Sequence, residues 1–414
     1  MRDVDKGITR RGFITSVGMA GLGSILTLAA GSVAAAESAE TSAPAIAAIP
    51  KGAKLATRKF GKTDVDVSIL SLGGMFNILS NQIMLKKCLD WGLTYWDTAD
   101  CYENGGSEEG IGMFFEKFPD ERKKVFLVTK SDKRDPTGMT ELLEQSLKRM
   151  KTDHIDLYFI HGVNDIKEIT GETKAWMEKA KADKKIKFFG FSAHKNMQTL
   201  LVEAAKLGWI DGIMMTYNYR LMQEDKMKAA IEACVKAGIG LTAMKSQGGG
   251  PVKTDSEAEL KLAGHFIQKG FTQHQAKLKA VWQNPDIASI CSQMPSMAIL
   301  TQNVAAALDN SKLTAADWDA LRTYEKETAS SYCAGCRHHC ESALGRECHV
   351  SDLMRCMMYH VSYGDTQLAR QTFAQLPSEM RLQLGNMDFA AAERACPRGL
   401  SIGQIAREAL KTLA

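Results

Sequence analysis

Eight short apolar segments alternate with segments of helical periodicity from about residue 65 onward. The strand-like segments are residues 67–72, 94–98, 125–129, 155–160, 187–191, 212–217, 240–244 and 287–291. Between them, stretches such as residues 140–147 carry apolar side chains three or four positions apart, as amphipathic helices do. Strands that alternate with helices predict an α/β fold with a parallel sheet. Eight such units predict a closed (β/α)8 TIM barrel.

Three successive strand-like segments of this predicted barrel end in polar residues. Asp97 closes the segment of residues 93–96, and Tyr102 follows five positions later. Lys130 ends the next segment, and His161 ends the one after it. Because active sites of such barrels lie at the carboxyl ends of the strands, we expect these four side chains to meet at one mouth. The alternative is four unrelated polar residues in surface salt bridges.

The four side-chain types suit the delivery of a proton to a carbonyl oxygen. A hydride that adds to a carbonyl leaves an alkoxide, and a positioned side chain can protonate it. A free tyrosine is a weak acid with a pKa near 10, and a neighbouring ammonium lowers that pKa. Tyr102 is therefore predicted to be the general acid, Lys130 its tuner and Asp97 the anchor of Lys130. His161 would orient the substrate oxygen.

The sequence resembles the aldo/keto reductase family over residues 55–308. The stretches that carry the resemblance are residues 96–102 (Trp-Asp-Thr-Ala-Asp-Cys-Tyr), 106–109, 128–130, 156–161, 190–194, 217–218 and 302–303. The four polar residues follow the family order, with spacings of 5, 28 and 31. The resemblance implies a barrel domain over residues 55–312 that reduces a carbonyl or oxidises an alcohol. The substrate would be a small molecule.

A nicotinamide cofactor, NADP(H) or NAD(H), is also implied by the resemblance. The positions that match family cofactor contacts are Ser192, Tyr217, Asn218, Met244, Lys245, Gln302 and Asn303. Met244 replaces the tyrosine that usually stacks on the nicotinamide, and Met214 and Ala193 replace a glutamine and an asparagine. The glycines at 248–250 would let the backbone approach a phosphate, because glycine lacks a Cβ, or they form a plain loop.

The residues beyond about 313 form a second region that is rich in cysteine. Six of the ten cysteines fall between residues 333 and 396. Cys333, Cys336 and Cys340 are closely spaced, and Cys396 precedes a proline far downstream, a pattern similar to ferredoxin ligands. We therefore expect a small helical, ferredoxin-like domain over residues 313–414 that holds one [4Fe–4S] cluster. Cys348 is an alternative fourth ligand.

The same cysteines are compatible with different chemistry and different functions. Zinc could bind the three clustered cysteines with His339 or His349, and disulfides are possible outside the cytoplasm. An iron–sulfur cluster could also exchange electrons with a partner redox protein, without any nicotinamide. A barrel that binds a ligand without catalysis, with a tail held by zinc or disulfides, is the third alternative, because a fold alone does not establish activity.

The first 36 residues resemble a twin-arginine export signal. Arg10 and Arg11 precede a stretch from residue 13 to 36 without charge, which ends in three alanines. Residues 37–54 would be a linker. The predicted location is periplasmic or otherwise extracytoplasmic, with the twin-arginine translocation machinery as a partner. A membrane anchor is the alternative for the apolar stretch.

The charge balance argues against nucleic-acid binding. The formal net charge is +4, and residues 1–36 supply half of it. A nucleic-acid footprint would need a basic face or stripe in the folded region, and no such cluster is present in the sequence.

Overall fold

The computed structural model describes residues 49–345 and 348–414. The predicted signal of residues 1–36 lies outside the described residues, and so does the predicted linker up to residue 48. Among the residues that are described, no helix is both long enough and apolar enough to cross a membrane.

Eight parallel strands close into a barrel in which each strand pairs with its neighbours in chain order. The described strands are β1 (Thr57–Lys59), β2 (Asp66–Ser68), β3 (Leu70–Gly73), β4 (Tyr95–Asp97), β5 (Phe126–Ser131), β6 (Ile155–Ile160), β7 (Ile186–Ala193), β8 (Gly212–Thr216), β9 (Gly240–Met244) and β10 (Ser289–Gln293). Strands β3 to β10 form the barrel, and β10 pairs with both β9 and β3. The predicted (β/α)8 barrel is therefore confirmed.

Helices follow the barrel strands and continue into the C-terminal region. In the described ranges they are α1 (Gln82–Asp90), α2 (Gly106–Lys117), α3 (Pro136–Met150), α4 (Gly171–Ala182), α5 (Met197–Leu207), α6 (Asp225–Lys236), α7 (Glu257–Ile267), α8 (Gln273–Trp282), α9 (Met297–Leu308), α10 (Ala315–Glu327), α11 (Arg337–Ala343), α12 (Val350–Val361), α13 (Thr366–Ala374), α14 (Ser378–Gln383), α15 (Ala390–Ala395) and α16 (Ile402–Leu413). Short 3-10 turns lie at Tyr102–Gly105, Pro119–Lys124, Ile166–Glu168 and Ala329–Ser331.

The prediction of one strand over residues 67–72 is wrong. These residues belong to two strands: β2 pairs antiparallel with β1 in a hairpin, and β3 is the first strand of the barrel. Apolar residues on both sides of the break hide it from a periodicity argument. The hairpin buries Phe60 completely beneath the first residues of β8 and β9. A Cβ on Gly240 would lie 2.5 Å from the Phe60 ring, so this position needs glycine.

The C-terminal helices have a hydrophobic core of their own. It includes Leu353, Met357, Phe373 and Ile405, all at most 6% exposed. Methionines in this core fill space between helices. The helical, cysteine-rich C-terminal region is thus confirmed, whereas its boundary at residue 313 stays a prediction.

This C-terminal region, called the tail below (residues 313–414), packs on the mouth of the barrel. Lys195, just after β7, donates to Asp352 of α12 at 2.6 Å, and both side chains are buried. The Arg398 guanidinium lies 2.7 Å from Glu224 in the loop after β8. The Ser362 hydroxyl donates to the carbonyl of Gly250 at 2.6 Å. Buried and charge-assisted contacts therefore hold the tail over the carboxyl ends of the strands.

Candidate active site

The structure brings three of the four strand-end side chains into direct contact. Lys130 Nζ lies 2.7 Å from Asp97 Oδ2 and 3.3 Å from Tyr102 Oη, and it also donates to the Thr98 carbonyl at 2.6 Å. Lys130 and Asp97 are 1% and 2% exposed. Parallel pairing of β4 with β5 sets their register, with Asp97 opposite Val128. A buried ammonium thus bridges a carboxylate and a phenol.

Burial dominates the acidity of these groups. It raises the pKa of Tyr102 well above its usual value, and the Asp97 carboxylate raises it further. Burial also raises the pKa of Asp97, although Lys130 opposes this shift. The net pKa of Tyr102 therefore lies above its usual value, in contrast to the expectation that it would be lowered. Burial and Asp97 outweigh the Lys130 ammonium, which lies 3.3 Å from the phenol and favours the phenolate.

His161 stands beside the phenol rather than bonded to it. Its ring makes an edge contact with Tyr102, with centroids 5.7 Å apart. Its Nδ1 lies 2.7 Å from Asp132 Oδ1, a carboxylate whose pKa falls to about 2 because the imidazole contacts outweigh the effect of burial. Burial lowers the pKa of His161. Since an ionised Asp132 only accepts, Nδ1 carries the proton and a neutral ring has none on Nε2.

Tyr102 and His161 open onto a cavity of about 820 Å³, a size typical of small-molecule sites. The barrel side of this cavity includes Met214, Met244 and Lys245. The other side of the cavity is formed by the tail, mainly by residues of α12 and α13. The site is therefore built by two regions of the chain.

Sequence reasoning missed the residues that the tail contributes. Arg355 and Tyr359 of α12 line the cavity, and Arg355 Nε is buried without a hydrogen-bond partner among the described residues. Lys245 Nζ lies 4.9 Å from the centre of the Tyr359 ring, within cation–π range. Both tail residues lie in α12, and nothing in the sequence indicates which surface this helix faces.

The predicted nicotinamide contacts divide into two groups. Met244 and Lys245 line the cavity next to Tyr102, as the resemblance implies. Ser192 is buried beside the mouth, where its hydroxyl accepts from the Gly162 amide at 2.9 Å. Asn218 is buried and donates to the Lys245 carbonyl at 3.2 Å. Of these four residues, Met244 and Lys245 line the cavity, whereas Ser192 and Asn218 are buried next to it.

The remaining predicted contacts do not line this cavity. Tyr217 is in the core between sheet and helices, where its hydroxyl accepts from Asn284 at 2.8 Å. Asn303 donates to Ser292 at 3.0 Å, and the Gln302 carbonyl accepts from a glutamine of α8. Their side chains are accounted for by packing and by contacts within the barrel.

The glycines after β9 are a second correction. A Cβ on Gly250 would lie 1.9 Å from the Ser331 carbonyl oxygen, and one on Gly249 would lie 3.0 Å from Ser362. The lack of side chains at these positions lets the tail backbone approach, not a phosphate. The tail thus covers the surface that the glycine run had suggested for a pyrophosphate.

The four predicted cluster ligands come together in the tail. Cys333, Cys336, Cys340 and Cys396 line one cavity of about 20 Å³, and Met354 of α12 also lines it. All ten cysteines are free thiols in this structure. Cys348, the alternative ligand, is 2% exposed and packs in the tail core. Position alone favours Cys396.

The four sulfurs do not form the compact group that one tetrahedral ion needs. Four thiolates around one tetrahedral zinc lie about 3.8 Å apart, given Zn–S bonds of about 2.3 Å. In the described ranges, the one group of three or more potential ligand atoms within 4.8 Å of one another lies elsewhere, at the barrel mouth. Burial and the neighbouring sulfurs raise the pKa of Cys336 to about 11 and that of Cys340 to about 12. Thiolates here would need bound cationic metal.

A small cavity of about 40 Å³ lies between the cysteine cavity and the barrel mouth. Cys333 and Met354 line it from the cysteine side, and His194 and Arg355 line it from the mouth. The cysteine cavity and the barrel mouth therefore lie next to each other, with this small cavity between them.

Comparison with known proteins places the barrel in a family. The profile described as "Aldo/keto reductase family" matches residues 73–317, more than half of the chain. The chain is 26% identical over 302 residues to the uncharacterized oxidoreductase YqkF of Bacillus subtilis, which covers 65% of this chain and 96% of that protein. It is 34% identical over 157 residues to the aldo-keto reductase yakc [NADP(+)] of Schizosaccharomyces pombe, which covers 33% of this chain and 45% of that protein.

A solved structure gives the same result for the fold. An aldo-keto reductase from Bacillus halodurans, in its holo form, superposes with a TM-score of 0.55 at 22% identity. It covers 65% of this chain and 96% of its own length. Residues 318–414, which include all four cysteines of the tail cavity, lie beyond the family match. The chain belongs to the aldo/keto reductase family, and it is an oxidoreductase of the type that acts on carbonyl and alcohol groups.

Proposed function

We propose that this protein reduces a carbonyl or oxidises an alcohol with NAD(P)(H), and that Tyr102 transfers the proton. The observation that carries the proposal is the buried Lys130 ammonium, which lies 2.7 Å from Asp97 and 3.3 Å from Tyr102. Asp97 and Tyr102 both line a cavity of about 820 Å³. A barrel without catalysis would have no need to keep this buried ion pair beside a phenol. The contact of Lys130 with Tyr102 speaks against that alternative.

Each side chain has a separate task in the proposed reaction. Burial keeps Tyr102 protonated at neutral pH, so the phenol is ready to donate to the substrate oxygen. The Lys130 ammonium stabilises the phenolate that forms, and Asp97 holds Lys130 in place. His161, whose ring makes an edge contact with the Tyr102 ring, orients the substrate oxygen. The nicotinamide, when bound, supplies or accepts the hydride.

Replacement of the phenol tests this proposal. Tyr102→Phe should lower kcat/KM by about 10²–10⁴-fold, the usual contribution of a positioned acid. NADPH and NADH oxidation would be followed with a panel of small aldehydes and ketones. Tyr219→Phe is the matched control, because the Tyr219 hydroxyl is buried without a hydrogen-bond partner among the described residues. Equal rates in Tyr102→Phe and the control would refute the assignment.

We also propose that Cys333, Cys336, Cys340 and Cys396 bind one [4Fe–4S] cluster. Their shared cavity supports this ligand set. Anaerobic purification should yield a brown protein with four irons and four sulfides per chain, and Cys336→Ser should lose them. Cys348→Ser should keep them. Stoichiometric zinc without iron in both would favour the zinc alternative instead.

A second candidate function follows from the close contact between the tail and the glycines after β9. If the tail backbone remains against Gly250, a dinucleotide has less surface to bind, and electrons could come through the cluster from a partner redox protein. The small cavity between the two sites supports a short path. Dinucleotide titration monitored by fluorescence separates the candidates. Micromolar NADPH affinity favours the first candidate, and no binding at millimolar NADPH or NADH favours the second.

Export by the twin-arginine route is part of the proposal and rests on residues 1–36 alone. Replacement of Arg10 and Arg11 by lysine should leave the protein in the cytoplasm. Cell fractionation measures this, and an unchanged extracytoplasmic fraction would contradict it. A protein that carries a cluster would have to fold before it crosses the membrane, which this route permits.

A further inference from the structure

Two cationic side chains from different regions of the chain line the cavity beside Tyr102. Lys245 follows β9 of the barrel, and Arg355 lies on α12 of the tail. Burial lowers the pKa of Arg355, but neighbouring groups outweigh burial and raise it. These groups include Tyr359, Asp352 and the Tyr102 phenol. The guanidinium therefore stays charged within electrostatic range of the proposed proton donor.

The Arg355 guanidinium is only loosely paired within the described residues. Its one ion pair there is with Asp352 Oδ1 at 3.4 Å, and Oδ2 of the same carboxylate accepts from Lys195 at 2.6 Å. A single carboxylate thus serves two cations. Arg355 makes no hydrogen bond in the described ranges, although a guanidinium has five N–H donors, and its buried Nε has no partner. The side chain is 26% exposed, so a solute in the cavity can reach it.

The Lys245 ammonium has no carboxylate partner in the part of the chain that the structure describes. Its Nζ lies 4.9 Å from the ring centre of Tyr359 and 5.3 Å from that of Tyr363, and it is 3.5 Å from the Tyr363 hydroxyl. Aromatic faces attract an ammonium without neutralising its charge. Both rings belong to the tail, so the tail positions Lys245 as well as supplying Arg355.

The remaining carboxylates of the cavity do not compensate these two charges. Each has another partner or is exposed to solvent, where water and salt screen it: Asp97 pairs with Lys130, Asp132 with His161, Asp365 accepts from the Leu368 amide, and Glu103 is exposed. Two cations with unused hydrogen-bond donors in one cavity suit an anionic group, because charge-assisted hydrogen bonds are the strong ones.

We propose that the substrate carries an anionic group, a carboxylate or a phosphate, which Arg355 and Lys245 bind while its carbonyl group meets Tyr102. This inference rests on the proposed function and names its substrate class. A guanidinium can form two parallel hydrogen bonds with either anion, and an ammonium adds a point charge. Arg355 lies outside residues 73–317, which match the family, so the tail would supply the selectivity for charge.

Matched pairs of aldehydes test this proposal with the full-length protein. 4-Oxobutanoate and 4-formylbenzoate carry a carboxylate, and their methyl esters are neutral compounds of similar shape. In the wild type, kcat/KM for the acids should exceed that for the esters by about 10-fold or more. Arg355→Met should lower kcat/KM for the acids by about 10–100-fold and change that for the esters less than about three-fold. Lys245→Met should act in the same direction. The retained ester activity shows that the variants are folded.

Arg370→Met is the matched control for the loss of a positive charge from the tail. Arg370 lies on α13, donates to the Thr412 carbonyl and is not among the residues that line the cavity. The preference for acids should be unchanged in this variant. An equal loss of preference in Arg355→Met and Arg370→Met would contradict a local anion site.

The source of the anionic group is distinguished by two further comparisons. Glyceraldehyde 3-phosphate against glyceraldehyde gives the corresponding ratio for a phosphate, and the larger ratio identifies the preferred anion. The phosphates of the dinucleotide are the other source of negative charge. If Arg355→Met raises the KM for NADPH and lowers kcat/KM for acids and esters alike, the cations bind the dinucleotide and the proposal is wrong. Equal kcat/KM for acids and esters in the wild type would also overturn it.

Calorimetry on variants without the phenol gives a readout that does not depend on turnover. 4-Oxobutanoate should bind Tyr102→Phe about 10–100-fold more tightly than it binds Tyr102→Phe with Arg355→Met. Equal affinities, or no binding to either variant, would overturn the anion site whatever the activities are. If binding depends on Arg355 but the wild type reduces no aldehyde, the anion site stands and the proposed function fails.

Discussion

The barrel tetrad and the tail cysteines are both buried sets of ionisable side chains, yet they differ in what completes them. Lys130 and Asp97 neutralise each other at 2.7 Å, and the phenol of Tyr102 is their neighbour. The tail thiols line a small cavity together with apolar side chains and with Arg337, His339 and Arg398. Burial raises the pKa of Cys336 to about 11, which keeps the thiol neutral. The first set is complete within the fold, and the second is suited to a ligand from outside.

This difference separates two kinds of design in one chain. A parallel barrel brings strand ends to one mouth by its topology, so charged partners meet without a cofactor. The tail has short helices, and its cysteines come from two distant segments. Its geometry therefore gains most from a metal group that links those segments, because metal binding contributes directly to folding free energy.

The largest expected effect is a loss of stability when Asp97 loses its buried partner Lys130. Lys130→Met leaves the Asp97 charge buried without its partner, which typically costs about 3–5 kcal/mol of unfolding free energy. Urea unfolding of the full chain measures it. The double variant Lys130→Met with Asp97→Asn should recover much of the loss, because no buried charge is left alone. A double variant as unstable as the single one would show that packing, not charge, decides.

A smaller effect on stability tests how closely the tail packs against the barrel. Gly250→Ala would place a Cβ 1.9 Å from the Ser331 carbonyl oxygen and 2.7 Å from the Tyr332 Cα. Such overpacking costs about 1–3 kcal/mol. Limited proteolysis should cleave the tail faster in this variant. Gly264→Ala is the control, since nothing lies within 4 Å of its Cβ and it is in a helix. Equal protease resistance would contradict close docking.

The smallest expected effect is the pH dependence of the contact between Asp352 of the tail and Lys195 of the barrel. Burial would raise the pKa of Asp352, but Lys195 and Arg355 outweigh it, so the folded-state pKa lies below the usual value. A lowered carboxyl pKa contributes stability above the unfolded pKa of about 3.9, and this contribution is lost as the pH falls through the folded value. Tail protection from protease should thus fall below about pH 4. Asp352→Asn should lack this part of the pH dependence.

Strand-end logic is reliable for the tetrad because it depends only on topology. Once eight strands alternate with helices, the ends of β4, β5 and β6 must adjoin, and Asp97, Lys130 and His161 lie there whatever the loops do. The same logic extends to Asp132, two residues beyond Lys130, which contacts His161. Its place after a strand end is therefore a signal that the sequence alone carries.

Contacts between distant segments are beyond such reasoning. The approach of Arg355 and Tyr359 to the mouth depends on how α12 docks, and docking depends on pairs such as Lys195 with Asp352, 157 residues apart. The pKa direction of Tyr102 also depends on tertiary structure. Only the folded chain shows that burial outweighs the ammonium beside it.

The sequence by itself determined the barrel, the four strand-end residues and the cysteine spacing, because each follows from local periodicity or from a short motif. Only the tertiary structure decided that the tail covers the glycine loop, that α12 forms one wall of the cavity beside Tyr102, and that Asp100 and Cys101 stand beside His161. These arrangements come from packing between segments far apart in the chain, where the free energy of burial and ion pairing selects one docking among many.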